Sequence, residues 1–286
     1  MRPVLALLLL RARLAQQARG CKVDGVLSDL STELAGDCSL SIVTPNNREG
    51  EPDPDALYLL RHSCAHVMAE AIQRVFEGVE LVYGPPVDQG FYYDMAVPAD
   101  RPVSSEDFEA IEKEMAAIIK EDRPFCRYEV NAAEGITKLE DEGNKYKLDN
   151  ARRALETDAD AALSFYSTGE PGKNWEDLCR GPHVPSTGRI GGFKVMSVAS
   201  SYWHGDETSD NLTRVYGTAF YKKKELNRYL RQHEEARKRD HRVIGRNMRL
   251  FHIDETVGQG LILWTCLLYT SPSPRDQRGS GVGGGG

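Results

Sequence analysis

An α+β fold with antiparallel-rich sheets is what the sequence predicts, on three observations. Residues 57 to 78 repeat apolar side chains at helical spacing. A second helical stretch opens at Ser104 or Ser105 and runs to about Lys120, with acids in its first turn where the helix dipole favours them. Residues 163 to 220 then turn strand-rich, with turns at Glu170-Pro171-Gly172 and Gly191-Gly192. At 286 residues the chain has room for more than one domain and a sizeable core. Its 40% hydrophobic and 28% charged residues exclude a fibrous or disordered composition.

Taken in order, the first residues contain an apolar run, Pro3 to Leu10, that is too short to span a bilayer and lacks a small-residue cleavage site after it. We read this end as a ragged piece of a domain whose start lies upstream. Residues 15 to 45 read as the end of a helix followed by strands. Val23-Asp24-Gly25-Val26 has the form of a tight hairpin, and Leu40 to Val43 alternates as a half-buried strand. Residues 46 to 55 are polar and proline-bearing and read as a linker. After the helix of residues 57 to 78, Gly84, Pro85 and Pro86 mark a turn before a strand starting at Gly90. Tyr128 to Val130 reads as a strand, Ala132 to Leu139 as a short helix, and Lys145-Tyr146-Lys147 follows without an assignment. Lys224 to Gly245 reads as one long charged helix, and residues 250 to 265 open a further element. From Cys266 on, the Ser/Pro/Gly-rich tail cannot build a core and is read as artefactual or linker sequence.

Charge and cysteines narrow the classes further. Between Lys222 and Arg249 there are eleven Lys or Arg against four Asp or Glu, on a chain whose net charge is −7. A basic stretch on an acidic protein points to contact with a polyanion, the plain alternative being a solvated basic helix. The six cysteines are scattered with no Cys-x-x-Cys pair, which reads as a reducing compartment without structural disulfides.

The chemistry is concentrated in two clusters. His62 and His66 stand four residues apart in the first helix. At ~100° per residue they fall opposite the stripe of Leu60, Cys64, Val67, Met68, Ala71 and Val75, which is the expected core face. Two solvated surface histidines are the plain alternative. Against it stands the downstream run Cys179-Arg180-Gly181-Pro182-His183, which adds a second pair of the same ligand types. Two histidines at i, i+4 with a Cys and a His suit either a tetrahedral zinc site or a thiol/imidazole hydrolytic site. Pro182 disfavours a helical Gly181, so Cys179 and His183 are expected on a loop laid over the histidine helix.

Six motifs, in order, then resemble threonyl-tRNA synthetases: Arg61-His62-Ser63-Cys64-Ala65-His66, Gly90-Phe91-Tyr92-Tyr93-Asp94, Asp177-Leu178-Cys179-Arg180-Gly181-Pro182-His183, Tyr202-Trp203-His204-Gly205-Asp206, Tyr216-Gly217-Thr218-Ala219 and Arg239-Asp240-His241-Arg242. The metal-like clusters are shared with alanyl-tRNA synthetases and their free-standing editing relatives. The Phe-Tyr-Tyr run and the Arg-Asp-His-Arg segment favour the threonine family. The resemblance covers roughly residues 15 to 265. It implies a partial ubiquitin-like (β-grasp) domain over residues 1–50 and an editing domain of helices on an antiparallel-rich sheet over 56–222. A linker helix over 223–250 and the start of a class II catalytic domain over 251–265 would follow, ahead of the tail 266–286. ATP, magnesium and the threonine-selecting zinc would belong to the missing catalytic domain, and homodimerisation, usual in the family, is left open for a fragment.

What the resemblance implies for function is hydrolysis of mischarged seryl-tRNA(Thr), with the tRNA acceptor end as partner and no membrane. His62 would orient or deprotonate water or the ribose hydroxyl. His66 and His183 would complete the cage, and Cys179 would position water through its sulfur. Asp177 would hold the substrate amine and Lys147 would polarise the carbonyl or position water. Tyr202 and Trp203 would stack on the terminal adenine, while Arg180, Arg239 and Arg242 would contact tRNA. No metal is expected in the editing site, with zinc at His62, His66, Cys179 and His183 as the alternative. A cytoplasmic location is expected, with mitochondrion or plastid as alternatives. The rival readings are a free-standing editing deacylase and a non-catalytic, zinc-structured RNA-binding module.

Overall fold

A computed structural model describes residues 12–34, 36–157, 162–253 and 262–265. The reading of Met1 to Arg11 and of the tail from Cys266 lies outside these residues. Two compact units are present, the first ending at Leu226 and the second starting at Asn227. The fold is α+β with antiparallel sheets, as expected.

The first unit begins with α1 (Ala12–Gln17) and a three-stranded sheet of β1 (Gly20–Val23), β2 (Val26–Ser28) and β3 (Leu40–Val43), in the order β2-β1-β3. The hairpin predicted at Val23–Val26 is there: Asp24 and Gly25 both take positive φ, 51° and 86°, as a two-residue turn between twisted strands requires. Val43 reaches the main core, while Ala18, Cys21 and Leu30 form a small core of their own. Residues 46 to 55 are not the linker expected from their composition. The Asn47 side chain accepts from the amides of Glu49 and Glu51, and its own amide bonds back to Glu51, closing a turn. Asp53 then caps the next helix by accepting from Ala56 N–H at 3.0 Å, with Pro54 in its first turn.

That helix, α2 (Pro54–Val75), is the centre of the unit: 15 of its 22 residues are buried. Its expected core stripe is buried apart from the half-buried Val75, but so is the histidine side, because β-structure and a loop from far downstream cover it. The histidines are therefore not solvated. A sheet in the order β10-β11-β6-β4 packs on α2, formed by β4 (Glu80–Tyr83), β6 (Gly90–Ala96), β10 (Gly192–Tyr202) and β11 (Asn211–Phe220), with the short β5 (Pro86–Val87) paired to β6. Phe91, Tyr93, Met95 and Val215 meet Leu59, Leu60, Met68 and Ile72 there, and α3 (Phe108–Lys120) closes the core with Ile111, Met115 and Ile118. Each such side chain contributes roughly 1.5–3 kcal/mol by leaving water. Ser104 caps the turn ahead of α3 in a reciprocal box with Asp107, in agreement with the sequence.

A second antiparallel sheet, β7-β8-β9, is made of β7 (Phe125–Val130), β8 (Leu163–Thr168) and β9 (Glu176–Leu178). Both faces of β8 are buried. Leu163 and Phe165 face α4 (Ala132–Glu142) and α5 (Lys145–Thr157), whereas Tyr166 and Thr168 reach residues of the candidate site and of α2. Helix α5 is the element the sequence reading left unassigned. Asn144 starts it by accepting from the amides of Tyr146 and Lys147, both at 3.1 Å.

The basic stretch is two helices rather than one. α6 (Lys223–Lys238) ends, and Asp240 caps α7 (His241–Asn247) by accepting from Arg242 N–H at 2.8 Å. An Asp that can satisfy a free helix N-terminus competes with helix continuation, and here the cap wins. β12 (Phe251–Ile253) and β13 (Ile262–Trp264) pair after it. No helix among the described residues is long and apolar enough to cross a membrane.

Candidate functional site

Helix α2 presents His62 and His66 one turn apart, and the loop after β9 lays Cys179 and His183 over them, as the sequence predicts. One donor atom from each of the four lies within 4.8 Å of all the others. Gly181 holds the loop's left-handed position, φ 71°, and a Cβ there would stand 2.0 Å from the Tyr166 hydroxyl.

Hydrogen bonds orient the rings. His62 Nδ1 lies 3.1 Å from the Pro182 carbonyl, which can only accept, so in the neutral ring Nδ1 carries the hydrogen. The lone pair on Nε2 then points at Cys179 Sγ, 3.3 Å away. His183 places Nε2 3.5 Å from the same sulfur and Nδ1 3.1 Å from Ser63 Oγ. Ser63 also lies 2.8 Å from the Leu59 carbonyl, so its hydroxyl has two acceptors to choose between. If it donates to His183, the imidazole offers Nε2–H to the sulfur. If it donates to Leu59, His183 is left with a bare Nε2 beside that of His62. The ring of His183 is stacked with Phe125 (centroids 4.9 Å, 4°) and with His62 (4.2 Å, 26°).

Burial pushes His62 down to about 4 and His66 down to about 3, and carries His183 well below the ordinary histidine range. It also raises the Cys179 thiol to about 12. At neutral pH the cluster is three neutral imidazoles and a protonated thiol. Next to it stands a charged group: Lys147 Nζ pairs with Asp177 Oδ1, and Tyr93 OH donates to Asp177 Oδ2 at 2.5 Å while lying 3.0 Å from Lys147 Nζ. Burial alone would raise the Asp177 carboxyl, but the Lys147 charge, with hydrogen bonds from Lys147 and Tyr93, outweighs it and holds the group below its usual value. His66 Nε2 sits 3.7 Å from Asp177, and its Nδ1 is buried with no hydrogen-bond partner among the described residues.

His62, His66, Lys147, Asp177, Cys179 and Arg180 all line one cavity of about 790 Å³, large enough for a small substrate group. The other expected contacts fall elsewhere. Tyr202 is exposed at the end of β10, and Trp203 packs edge-on against Tyr146 (5.0 Å, 70°) in a small core with Val82 and Leu212. Arg239 and Arg242 lie in the second unit, where Arg242 is bound to Asp240. Three participants escaped the sequence reading. Tyr93 and Ser63 sat inside quoted motifs without a role, and Asp29, which accepts from His183 N–H, lies 154 residues from it with no spacing signal.

The donor set suits a metal ion. Zinc bonded to sulfur at ≈ 2.3 Å and nitrogen at ≈ 2.0–2.1 Å sets its ligand atoms roughly 3.3–3.7 Å apart, and the two sulfur–nitrogen separations here fall in that range. Outward hydrogen bonds from the Nδ1 atoms of His62 and His183 are those that metal-bound imidazoles make. His62, His66, Cys179 and His183 could therefore hold such an ion.

Residues 163–216 match the family model described as Threonyl and Alanyl tRNA synthetase second additional domain. The chain is 43% identical over 256 residues to a threonine–tRNA ligase of Erythrobacter litoralis, a match covering 88% of this chain and 37% of that protein. It is 42% identical over 251 residues to the one of Enterococcus faecalis (88% and 36%) and 43% over 265 residues to that of Acidithiobacillus ferrooxidans (92% and 39%). The chain thus spans less than two-fifths of the length of these relatives. The resemblance read from the motifs is borne out, and the cavity, lined by His62, His66 and Cys179 of the four clustered donors, adjoins the strands that the family model covers.

Proposed function

We propose that this chain is a fragment of a threonine–tRNA ligase whose cavity hydrolyses the aminoacyl ester of mischarged seryl-tRNA(Thr). The observation that carries this reading is the convergence of His62, His66 and Cys179 with a buried Lys–Asp pair on one cavity, His183 lying buried behind the sulfur. Threonine and serine differ by one methyl group, which a binding pocket turns into only ~1–3 kcal/mol, about 10–200-fold. A second site that admits the smaller acyl group and destroys it supplies the missing discrimination.

Ester hydrolysis needs an oriented water, a proton acceptor and a donor for the developing oxyanion. His62 meets the second need: Pro182 holds its hydrogen on Nδ1, and its low affinity for protons keeps Nε2 free at neutral pH. Cys179 is no acyl acceptor, because a thiol raised to about 12 carries almost no thiolate at neutral pH; its sulfur, beside His62 Nε2, positions water instead. Lys147 supplies the cation for the ester carbonyl. Asp177 aims Lys147 and Tyr93 and lends negative charge towards the substrate ammonium, although both its oxygens already accept hydrogen bonds. Arg180, on the cavity rim, faces the polyanionic acceptor end.

A second reading is favoured by the ligand-like spacing of the Cys179 sulfur to the His62 and His183 nitrogens. A zinc ion held by all four would be closed and structural and would supply rigidity rather than a nucleophile. In that case the module would bind RNA without hydrolysing it. The deciding measurement is the deacylation rate of seryl-tRNA(Thr) against threonyl-tRNA(Thr), with bound zinc counted by mass spectrometry on the same protein. Serine-selective hydrolysis, lost in His62→Ala and Cys179→Ala, is expected. One zinc per chain with no hydrolysis would replace the enzymatic reading by the structural one.

A further inference from the structure

We infer that Asp29, on the N-terminal sheet, is a positioning residue of the hydrolytic site, its carboxylate holding the Cys179–His183 loop in place. Asp29 directly follows β2 and is buried. Oδ1 accepts the backbone N–H of His183 at 2.8 Å, and Oδ2 accepts the Tyr166 hydroxyl at 2.5 Å. Those two partners grip the loop from both sides. The Tyr166 ring lies edge-on to the His183 imidazole (4.4 Å, 62°), and its hydroxyl fills the space beside Gly181 that any Cβ would occupy. One carboxylate therefore locates the residues on both sides of Pro182, whose carbonyl in turn orients His62.

The anchor is itself held. Cys21 Sγ donates to the Asp29 carbonyl at 3.4 Å, and the Asp24–Gly25 turn fixes the hairpin on which Asp29 sits. The loop's other ties hold its ends and the Pro182 carbonyl: Cys179 N–H donates to the Ser164 carbonyl at 3.1 Å, the Cys179 carbonyl accepts from Ser164 Oγ at 2.7 Å, Pro182 O lies 3.1 Å from His62 Nδ1, and Val184 N–H meets Ser63 Oγ at 3.0 Å. Gly181 N–H meets Cys179 Sγ at 3.3 Å, a contact internal to the loop. Releasing Asp29 therefore loosens the backbone of His183, and with it Nε2 of His183 and the cover over Sγ of Cys179, while the Cys179 backbone stays held. A displacement of about 1 Å in such groups costs on the order of 10²-fold in rate.

The kinetic part of the test rests on the deacylase reading, so a second readout is independent of it: alkylation of Cys179 by iodoacetamide, followed peptide by peptide on the full chain. Asp29→Ala is expected to raise the Cys179 alkylation rate about fivefold or more, as a loosened loop exposes the thiol. It should lower kcat for seryl-tRNA at least about tenfold while KM changes less than about twofold. Asp29→Asn keeps an acceptor for His183 N–H but offers Tyr166 a donor in its place. It should restore most of kcat and leave alkylation about twofold above the parent chain. Lys22→Ala, which loses the surface ion pair with Asp55 from the same hairpin without touching the turn or the site, should match the parent in both readouts. A folded Asp29→Ala chain with parental alkylation overturns the inference, as does parental alkylation of Asp29→Asn should the alanine chain not fold. Equal effects from Lys22→Ala also overturn it. If the parent chain hydrolyses no ester, the functional reading fails and alkylation alone decides the role of Asp29.

Discussion

Two buried polar groups on α2, one turn apart, have opposite characters. Glu70 is fully answered: Arg74 and Arg123 each donate to Oε1 at 2.7 Å, and Thr168 donates to Oε2 at 2.8 Å. His66, four residues earlier on the same line, has one nitrogen without a hydrogen-bond partner among the described residues and the other 3.7 Å from a carboxylate. Both are buried, so burial alone does not separate scaffold from site. Completeness of hydrogen bonding does: Glu70 ties α2 to β8 and to the segment before β7, while the histidine cluster keeps donors and acceptors in reserve for something that enters the cavity.

The contrast is sharpest in substitutions. His62→Ala is expected to slow seryl-ester hydrolysis by ~10²–10⁴-fold, the range for removing a general base, with only a small shift in urea midpoint. Glu70→Ala should do the reverse, costing ~1–3 kcal/mol of stability because it takes the acceptor from the buried Thr168 hydroxyl and one from the Arg123 guanidinium, while the protein that remains folded hydrolyses at a near-parental rate. Similar stability losses in the two variants would erase the distinction.

A smaller effect follows from protonation. His62, His66 and His183 all bind protons more weakly folded than their ordinary value of 6.5. Below that pH the unfolded chain takes up protons that the native chain refuses, so stability is full above pH 6.5. It falls as pH drops through the window down to about 4 for His62 and about 3 for His66. Urea titrations at descending pH should show this slope, and His62→Gln should flatten it. The hydrolysis rate, in contrast, should show no His62 limb between about pH 6 and 8. Smallest of all, Asn144→Ala should cost ~1 kcal/mol in thermal or urea unfolding by uncapping α5, the helix that carries Lys147.

The parts of this molecule that the sequence discloses are those written in local spacing. The Asp24–Gly25 turn, the Ser104 cap, and the His62/His66 and Cys179/His183 pairs each lie within a few residues, and each is found as predicted. The α5 helix was legible too, from Asn144 followed by Leu148, Ala151 and Leu155, but its charged start masked that period. The burial of the histidines was not legible, because what covers them comes from β8, β9 and the loop beyond. Nor could periodicity show that Lys147, Tyr93 and Asp177 share one proton network, since contacts between distant strands and helices leave no mark at short range.

The bond between Asp29 and His183 also sets a clock on manufacture. A ribosome adding 5–20 residues per second needs roughly 8–30 s to travel the 154 residues between them. Tyr166 follows 137 residues after Asp29, so for most of that interval the emerging hairpin carries a carboxylate with neither partner yet made. The early sheet is thus a half-built latch, and the cavity is completed late, by the arrival of the strand and loop that close it.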